Sequence, residues 1–222
     1  MEELFDVYDI NGNYIGVQPK SFCHSQNPGV YHKPVWIWIV NSCGQVLIQK
    51  RAATKKFMPN KWDSGATGHV VSGETSLEGC IRETSEELGL KFDEKQFEFL
   101  GEFLAQEVWE IGQVYLLKAD IDIKKIKVQK EEVAEVKFVD FDKFKKLFFS
   151  DEFMPYGIDY KNWVIEKLSV KAIQKGIGEK IWELLLLRIF TQTIRHLKRW
   201  LMIWKGKKLI QWFAWVILLE RA

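Results

Sequence analysis

Residues 68–90, GHVVSGETSLEGCIRETSEELGL, limit what this chain can become more than any other stretch. Thr75 and Glu78 have the spacing of a capping box and Gly89 suits a left-handed stop, so a helix is predicted to begin near Thr75 or Ser76 and to end at Gly89. Positions three and four apart are neighbours on a helix. Glu83, Glu86 and Glu87 therefore share a face, and Arg82, four before Glu86, can hold its carboxylate. Leu77, Ile81 and Leu88, with Thr84 and Cys80, are left to pack inward. Like charges this close cost stability, which a divalent cation bound by hard oxygens would recover. Mg2+ commonly combines a few carboxylates with substrate phosphates, so the spacing points to phosphate chemistry. The alternative is a solvated helix face relieved by lysines elsewhere.

Strands are predicted on both sides of this helix. ELFDVYDINGNYIG reads as two short strands about an Asn-Gly turn, and PVWIWIVNSCGQVLIQKRA as a hairpin with strands at 35–40 and 45–50. KKFMPNKWDSGATGHV is a loop punctuated by Pro59, Gly65 and Gly68. FEFLGEFLAQEVW, GQVYLLKADI and EVKFVDF are further strands, followed by a short helix in DFDKFKKLFF. This alternation predicts a layered α/β domain over residues 1–170. With 47% apolar and 28% charged residues among 222, the chain can bury a substantial core. Cys23, Cys43 and Cys80 are widely spaced and have no C-x-x-C partner, which argues against a disulfide framework or a thiolate zinc site. The acidic N-terminus has no apolar run of the signal-peptide kind, so a cytoplasmic location is expected.

Gly68, five residues, Glu74, seven residues and then Arg-Glu-x-x-Glu-Glu-x-Gly resemble the signature of the Nudix superfamily over all 23 positions. The departure is Thr84, where that family usually has an aliphatic residue. The resemblance implies a Nudix-like α/β/α sandwich with a mixed sheet, binding Mg2+ or Mn2+ for attack by water on the diphosphate linkage of a small molecule. It implies Glu83 and Glu87 as main ligands, Glu86 as a further or water-mediated one, and the Gly68 carbonyl as an additional donor. Arg82 would orient the carboxylates and Glu74 support the site. Glu131 and Glu132 lie in a loop where many relatives carry a late glutamate, and Glu132 is the candidate general base.

Between about residues 4 and 165 the chain is similar to the branch containing isopentenyl-diphosphate isomerase, through HKPVWIWIVNSCGQVLIQKRAATKKFMPNKWDSGATGH and FMPYG. His24, His32 and His69 fall where that isomerase gathers a metal. Thr67, however, stands where it has a catalytic cysteine, and Ile111 and Gln113 where it has glutamates, with Glu107 and Glu110 nearby. Threonine and glutamine cannot protonate an unactivated alkene, so hydrolysis is expected and isomerisation is the alternative. A ligand-binding module without catalysis is a third reading, although such proteins commonly lose the signature glutamates and this chain has lost none. Lys50, Arg51, Lys55, Lys56 and Lys61 are candidates to meet a terminal phosphate, and Trp36, Trp38, Trp62 and Trp109 to stack on a base or line an isoprenoid pocket.

Residues 171–222 carry eleven Lys/Arg against three Glu, a charge of +8 beside −6 for residues 1–170. Five of the ten tryptophans lie between 182 and 215, and Arg188, Gln192, Arg195 and Arg199 form a polar stripe at helical spacing. The longest uncharged run, Leu209–Leu219, is too short to span a bilayer. A helical extension is expected, either covering the domain or a partner subunit in a homodimer, or lying peripherally on an anionic membrane surface. No nucleic-acid partner is expected, because the charges are interrupted by aliphatic runs.

Overall fold

The segment Pro34–Val40, PVWIWIV, consists of aliphatic and indole side chains with no charged residue, and a strand built from it must be covered on both faces. That requirement sets the layering. The computed structural model describes residues 2–25 and 27–169, and the tail predicted at 171–222 lies outside them. The strands are β1 (Leu4–Tyr8), β2 (Tyr14–Pro19), β3 (Tyr31–His32), β4 (Pro34–Val40), β5 (Val46–Arg51), β6 (Trp62–Asp63), β7 (Ala66–His69), β8 (Phe97–Ala105), β9 (Glu110–Lys118) and β10 (Val133–Val139). Helices are α1 (Lys20–Cys23), α2 (Ser76–Leu88), α3 (Phe141–Phe148) and α4, residues 158–169.

One mixed sheet runs β10-β5-β4-β9-β3-β1-β2, with β6 beside β5, β7 beside β4 and β8 beside β9. The central pair β4 and β9 is parallel, Val35 opposite Gln113 through Val40 opposite Lys118, whereas β4 with β5 and β4 with β7 are antiparallel. Alternation along β4 divides the core. Val35, Ile37 and Ile39 join Leu47, Ala66, Tyr115 and Leu117 beneath Cys80 and Leu88 of α2. Trp36 and Trp38 face the other way, onto Phe144 and Phe148 of α3 and Tyr160, Val164 and Leu168 of α4. Trp38 donates its indole N–H to the Tyr160 hydroxyl at 3.1 Å, satisfying the one polar atom of a fully buried ring. The result is the expected α/β/α sandwich.

Local departures from the expected elements have physical causes. The loop after β5 contains β6 and β7, whose two and four residues are too short to carry a period and exist through pairing with β5 and β4. FEFLGEFLAQEVW is not one strand: β8 stops at Ala105, and a turn over Gln106–Val108 brings the chain back antiparallel as β9. Helix α4 was not anticipated; its inward Tyr160, Val164 and Leu168 follow a helical spacing that completes the second layer.

Candidate functional site

Helix α2 is held at both ends as its sequence dictates. The Thr75 hydroxyl accepts from the Glu78 backbone N–H at 3.2 Å, Glu78 Oε2 accepts from the Thr75 N–H at 2.8 Å, and Gly89 closes the helix at φ 65°. Gly79, Cys80, Thr84 and Leu88 are its buried apolar side, while Ile81 is only half-buried. Thr84 is accommodated because its hydroxyl donates to the Cys80 carbonyl at 2.6 Å, leaving its methyl to pack.

Arg82 organises the acidic side. Its Nε and Nη2 donate to the two oxygens of Glu74, each at 3.0 Å, and Nη2 also reaches the His69 carbonyl at 2.7 Å. Nη1 donates to Glu83 at 2.7 Å and to Glu86 at 3.2 Å. Glu86 is thus one of three carboxylate partners, and the paired-oxygen contact is with Glu74. Burial opposes the guanidinium charge, but these carboxylates more than offset it and raise its pKa.

The Glu83 carboxylate lies directly over Gly68: a Cβ on that glycine would sit 1.9 Å from Glu83 Cδ. Glu87, only 6% exposed, has Oε2 fixed by the Thr67 N–H at 2.8 Å and Gln49 Nε2 at 3.0 Å. Among the described residues no protein group donates to its Oε1. Burial pushes Glu83 up to about 7, against the lowering effect of Arg82, and Glu87 up to about 8, against the Thr67 N–H. Two desolvated carboxyls, held apart from bulk water by protein donors on one side, fit a hard divalent cation that would repay their ionisation. Glu86 stays at the exposed rim.

Beside this helix is a second cluster. His24 follows α1, His32 lies on β3 and His69 on β7, and one ring nitrogen of each falls within 4.8 Å of the others. Glu110 Oε1 is 3.6 Å from His32 Nε2 and 3.8 Å from His69 Nε2. His32 is 1% exposed, yet neither of its ring nitrogens has a hydrogen-bond partner among the described residues. Phe5 stacks on the rings of His32 and His69. Three imidazoles and a carboxylate are a donor set for a borderline metal such as zinc.

Glu110, which the sequence leaves as a neighbour of the matched positions, is the carboxylate that reaches this cluster. Trp109 adopts φ 57° and its carbonyl accepts from the His32 N–H at 3.1 Å, setting Glu110 opposite His32. Ile111 is buried, and the Gln113 amide donates to Glu102 at 2.9 Å and to the Ile111 carbonyl at 3.1 Å. Glu107 is exposed.

The other predicted residues are distributed as follows. Glu132 is ion-paired with Lys55, and the Ala52 N–H donates to its carbonyl at 2.9 Å. Glu131 is exposed. Arg51 is turned to Asp63 at 3.4 Å and to the Phe57 carbonyl, Lys61 to the Asp151 carbonyl, and Lys50 lies 5.6 Å from the centre of the Trp62 ring. Lys56 is exposed. Trp36, Trp38 and Trp62 are core residues at 5%, 0% and 5% exposure, so they are not available to stack on a ligand, and Trp109 packs edge-on against Tyr31. Gln49 was missed by sequence reasoning. The available signal was a polar residue two after Leu47, on the α2 face of the strand and directly after its apolar run Val46–Ile48.

A family pattern described as "NUDIX domain" matches residues 30–156. The chain is 34% identical over 172 residues to "Nudix hydrolase 3" of Arabidopsis thaliana, which covers 71% of this chain and only 22% of that protein. It is 38% identical over 133 residues to "Uncharacterized Nudix hydrolase lin0387" of Listeria innocua, covering 58% of this chain and 75% of the relative. It is also 27% identical over 186 residues to an "Isopentenyl-diphosphate Delta-isomerase" of Corynebacterium glutamicum, 80% of this chain and 95% of that one. Among solved structures, DR0079 from Deinococcus radiodurans has the same fold at a TM-score of 0.59 and 22% identity, over 75% of this chain and 98% of the other.

Proposed function

This chain belongs to the Nudix family, and on that premise we propose that it is a divalent-metal-dependent hydrolase cleaving the diphosphate linkage of a nucleoside diphosphate derivative or another small organic diphosphate. The observation that carries the reading is the pair Glu83 and Glu87, a half-buried and a buried carboxyl one turn apart on one helix, with every fixed glycine, arginine and glutamate of the signature present. Glu83, Glu87 and the rim residue Glu86 are the proposed ligands of Mg2+ or Mn2+, with the Gly68 carbonyl as a further donor. The ion, when bound, neutralises phosphate oxygens and lowers the pKa of a coordinated water. Arg82, fastened to Glu74, orients the Glu83 and Glu86 carboxylates. Thr67 and Gln49 keep Glu87 in one rotamer and favour its ionised form, against the burial that raises its pKa. Glu132 is the proposed general base, its carboxylate oriented by Lys55.

A second reading, isomerisation of an isoprenoid diphosphate, is favoured by the His24, His32, His69 and Glu110 cluster. It lacks a proton donor at the cysteine position, where the Thr67 hydroxyl is already committed to the Val35 carbonyl at 3.1 Å. Hydrolysis is therefore the conclusion. Incubation with Mg2+ and a panel of nucleoside, dinucleotide, sugar and isoprenoid diphosphates, with monophosphate, phosphate and isomer products followed together, tests it. Glu83→Gln and Glu87→Gln are each expected to lower turnover by about 100-fold or more, ~2.7 kcal/mol in the barrier. Turnover unchanged in both variants, or isomer as the product, would reject the reading.

A further inference from the structure

We infer that Gln49 is a positioning residue for the Glu83–Glu87 centre, its amide nitrogen fixing the rotamer of Glu87 and its carbonyl oxygen receiving a hydrogen bond from water on the bound cation. The inference rests on the metal reading above. Gln49 is 1% exposed in β5 and donates to Glu87 Oε2 at 3.0 Å, but its own Oε1 is buried with no partner among the described residues. A carboxamide brings an acceptor as well as two donors, and buried acceptors are seldom left alone.

The neighbouring polar groups do not supply the missing donor. Asp63, opposite Gln49 in the β5–β6 register, is itself an acceptor taken up by the Ser64 N–H, the Tyr156 hydroxyl and Arg51. The Thr67 N–H is spent on Glu87 and the Thr67 hydroxyl on Val35. Turning the amide over would set its oxygen against Glu87 as two facing acceptors once that carboxyl is ionised to ligate a cation, and would give up the one hydrogen bond the amide makes. The orientation seen is the one that suits an ionised Glu87, the form that can ligate a cation. A buried oxygen beside that ligand, without a partner among the described residues, can receive a donor that arrives with the ion.

Gln49→Met tests this in the full chain, because it keeps the length and volume of the side chain and removes both amide functions. Mn2+ affinity, read by paramagnetic resonance, is expected to fall about tenfold, in the range typical for groups that hold metal ligands. On the active substrate kcat is expected to fall with KM little changed. The unaltered protein supplies a second measurement: the Gln49 side-chain carbonyl 13C and amide 15N resonances should both shift as Mg2+ is added and should stay still in Glu87→Gln. Wild-type Mn2+ affinity and kcat in a folded Gln49→Met, or Gln49 resonances unmoved at Mg2+ saturation, would overturn the role of Gln49 while leaving the metal centre in place. Absence of Mn2+ binding by the unaltered protein would overturn the metal reading itself, and this inference with it.

Discussion

One absent methyl group decides whether Glu83 can occupy its place. A Cβ on Gly68 would stand 2.1 and 2.3 Å from the Glu83 oxygens, well inside any permitted contact. The requirement is steric. Gly68→Ala is therefore expected to push the carboxylate off β7, cutting turnover by about 100-fold, ~2.7 kcal/mol, with Mn2+ affinity reduced alongside and the melting temperature lowered only modestly. An alanine variant with wild-type kcat and metal affinity would refute the argument. Sequence reasoning named Gly68, but for its carbonyl; the contact with Glu83 required the β7–α2 packing. It also named Arg82 for its helical neighbour Glu86, and that hydrogen bond is present. The stronger partner, Glu74, lies eight residues earlier outside the helix, where no i,i+4 rule could reach it.

At the scale of the element, α2 was the most legible part of the chain, because its capping box and terminal glycine are local chemistry. Its electrostatics are less local. Unfolded, both carboxyls titrate near 4.5, whereas burial moves Glu83 to about 7 and Glu87 to about 8 in the folded, metal-free protein. The native state then binds more protons than the unfolded state, so the carboxyls' contribution to stability declines as pH rises from about 4.5 to about 8, by up to ~1.4 kcal/mol per unit for each group. His32 acts in the opposite sense. Burial lowers it from 6.5 to about 3, so its contribution is fully present above 6.5 and is lost as pH falls toward 3. His69, with a side chain 23% exposed, adds a smaller share of the same sign. With a chelator present, the opposing effects nearly cancel between about pH 4.5 and 6.5, so the melting temperature is expected to be almost level there and to fall on both sides. Saturating Mg2+ should raise it more at pH 8 than at pH 6, since at the lower pH the ion must displace protons. An equal increment at both values, by scanning calorimetry, would contradict the buried-carboxylate account.

For the whole molecule, the sheet separates two jobs. The acidic site is built on the α2 face, while the opposite face is an aromatic core in which Phe148 meets Trp38 at 5.2 Å, Phe144 at 5.1 Å and Phe153 at 5.0 Å between ring centres. Phe148→Ala is expected to cost ~3–5 kcal/mol of stability and to leave Mn2+ affinity at the wild-type level. A matching loss of metal affinity, measured below the melting transition, would show that the two faces are not independent. The basic extension at 171–222 stays a proposal about sequence alone, as a cover for the domain or a subunit or as a membrane-lying segment. Co-sedimentation of the full chain with anionic vesicles, compared with a chain ending near residue 175, separates these. The amino-acid order alone determined α2 with its caps and its acidic face, because both depend on neighbours within a few residues. Only the tertiary structure decided that Glu110 rather than Gln113 reaches the histidines, that Gln49 grips Glu87, and that Trp36, Trp38 and Trp62 are core. Those outcomes depend on register between strands far apart in the chain and on which face each side chain shares, and neither is written in local spacing.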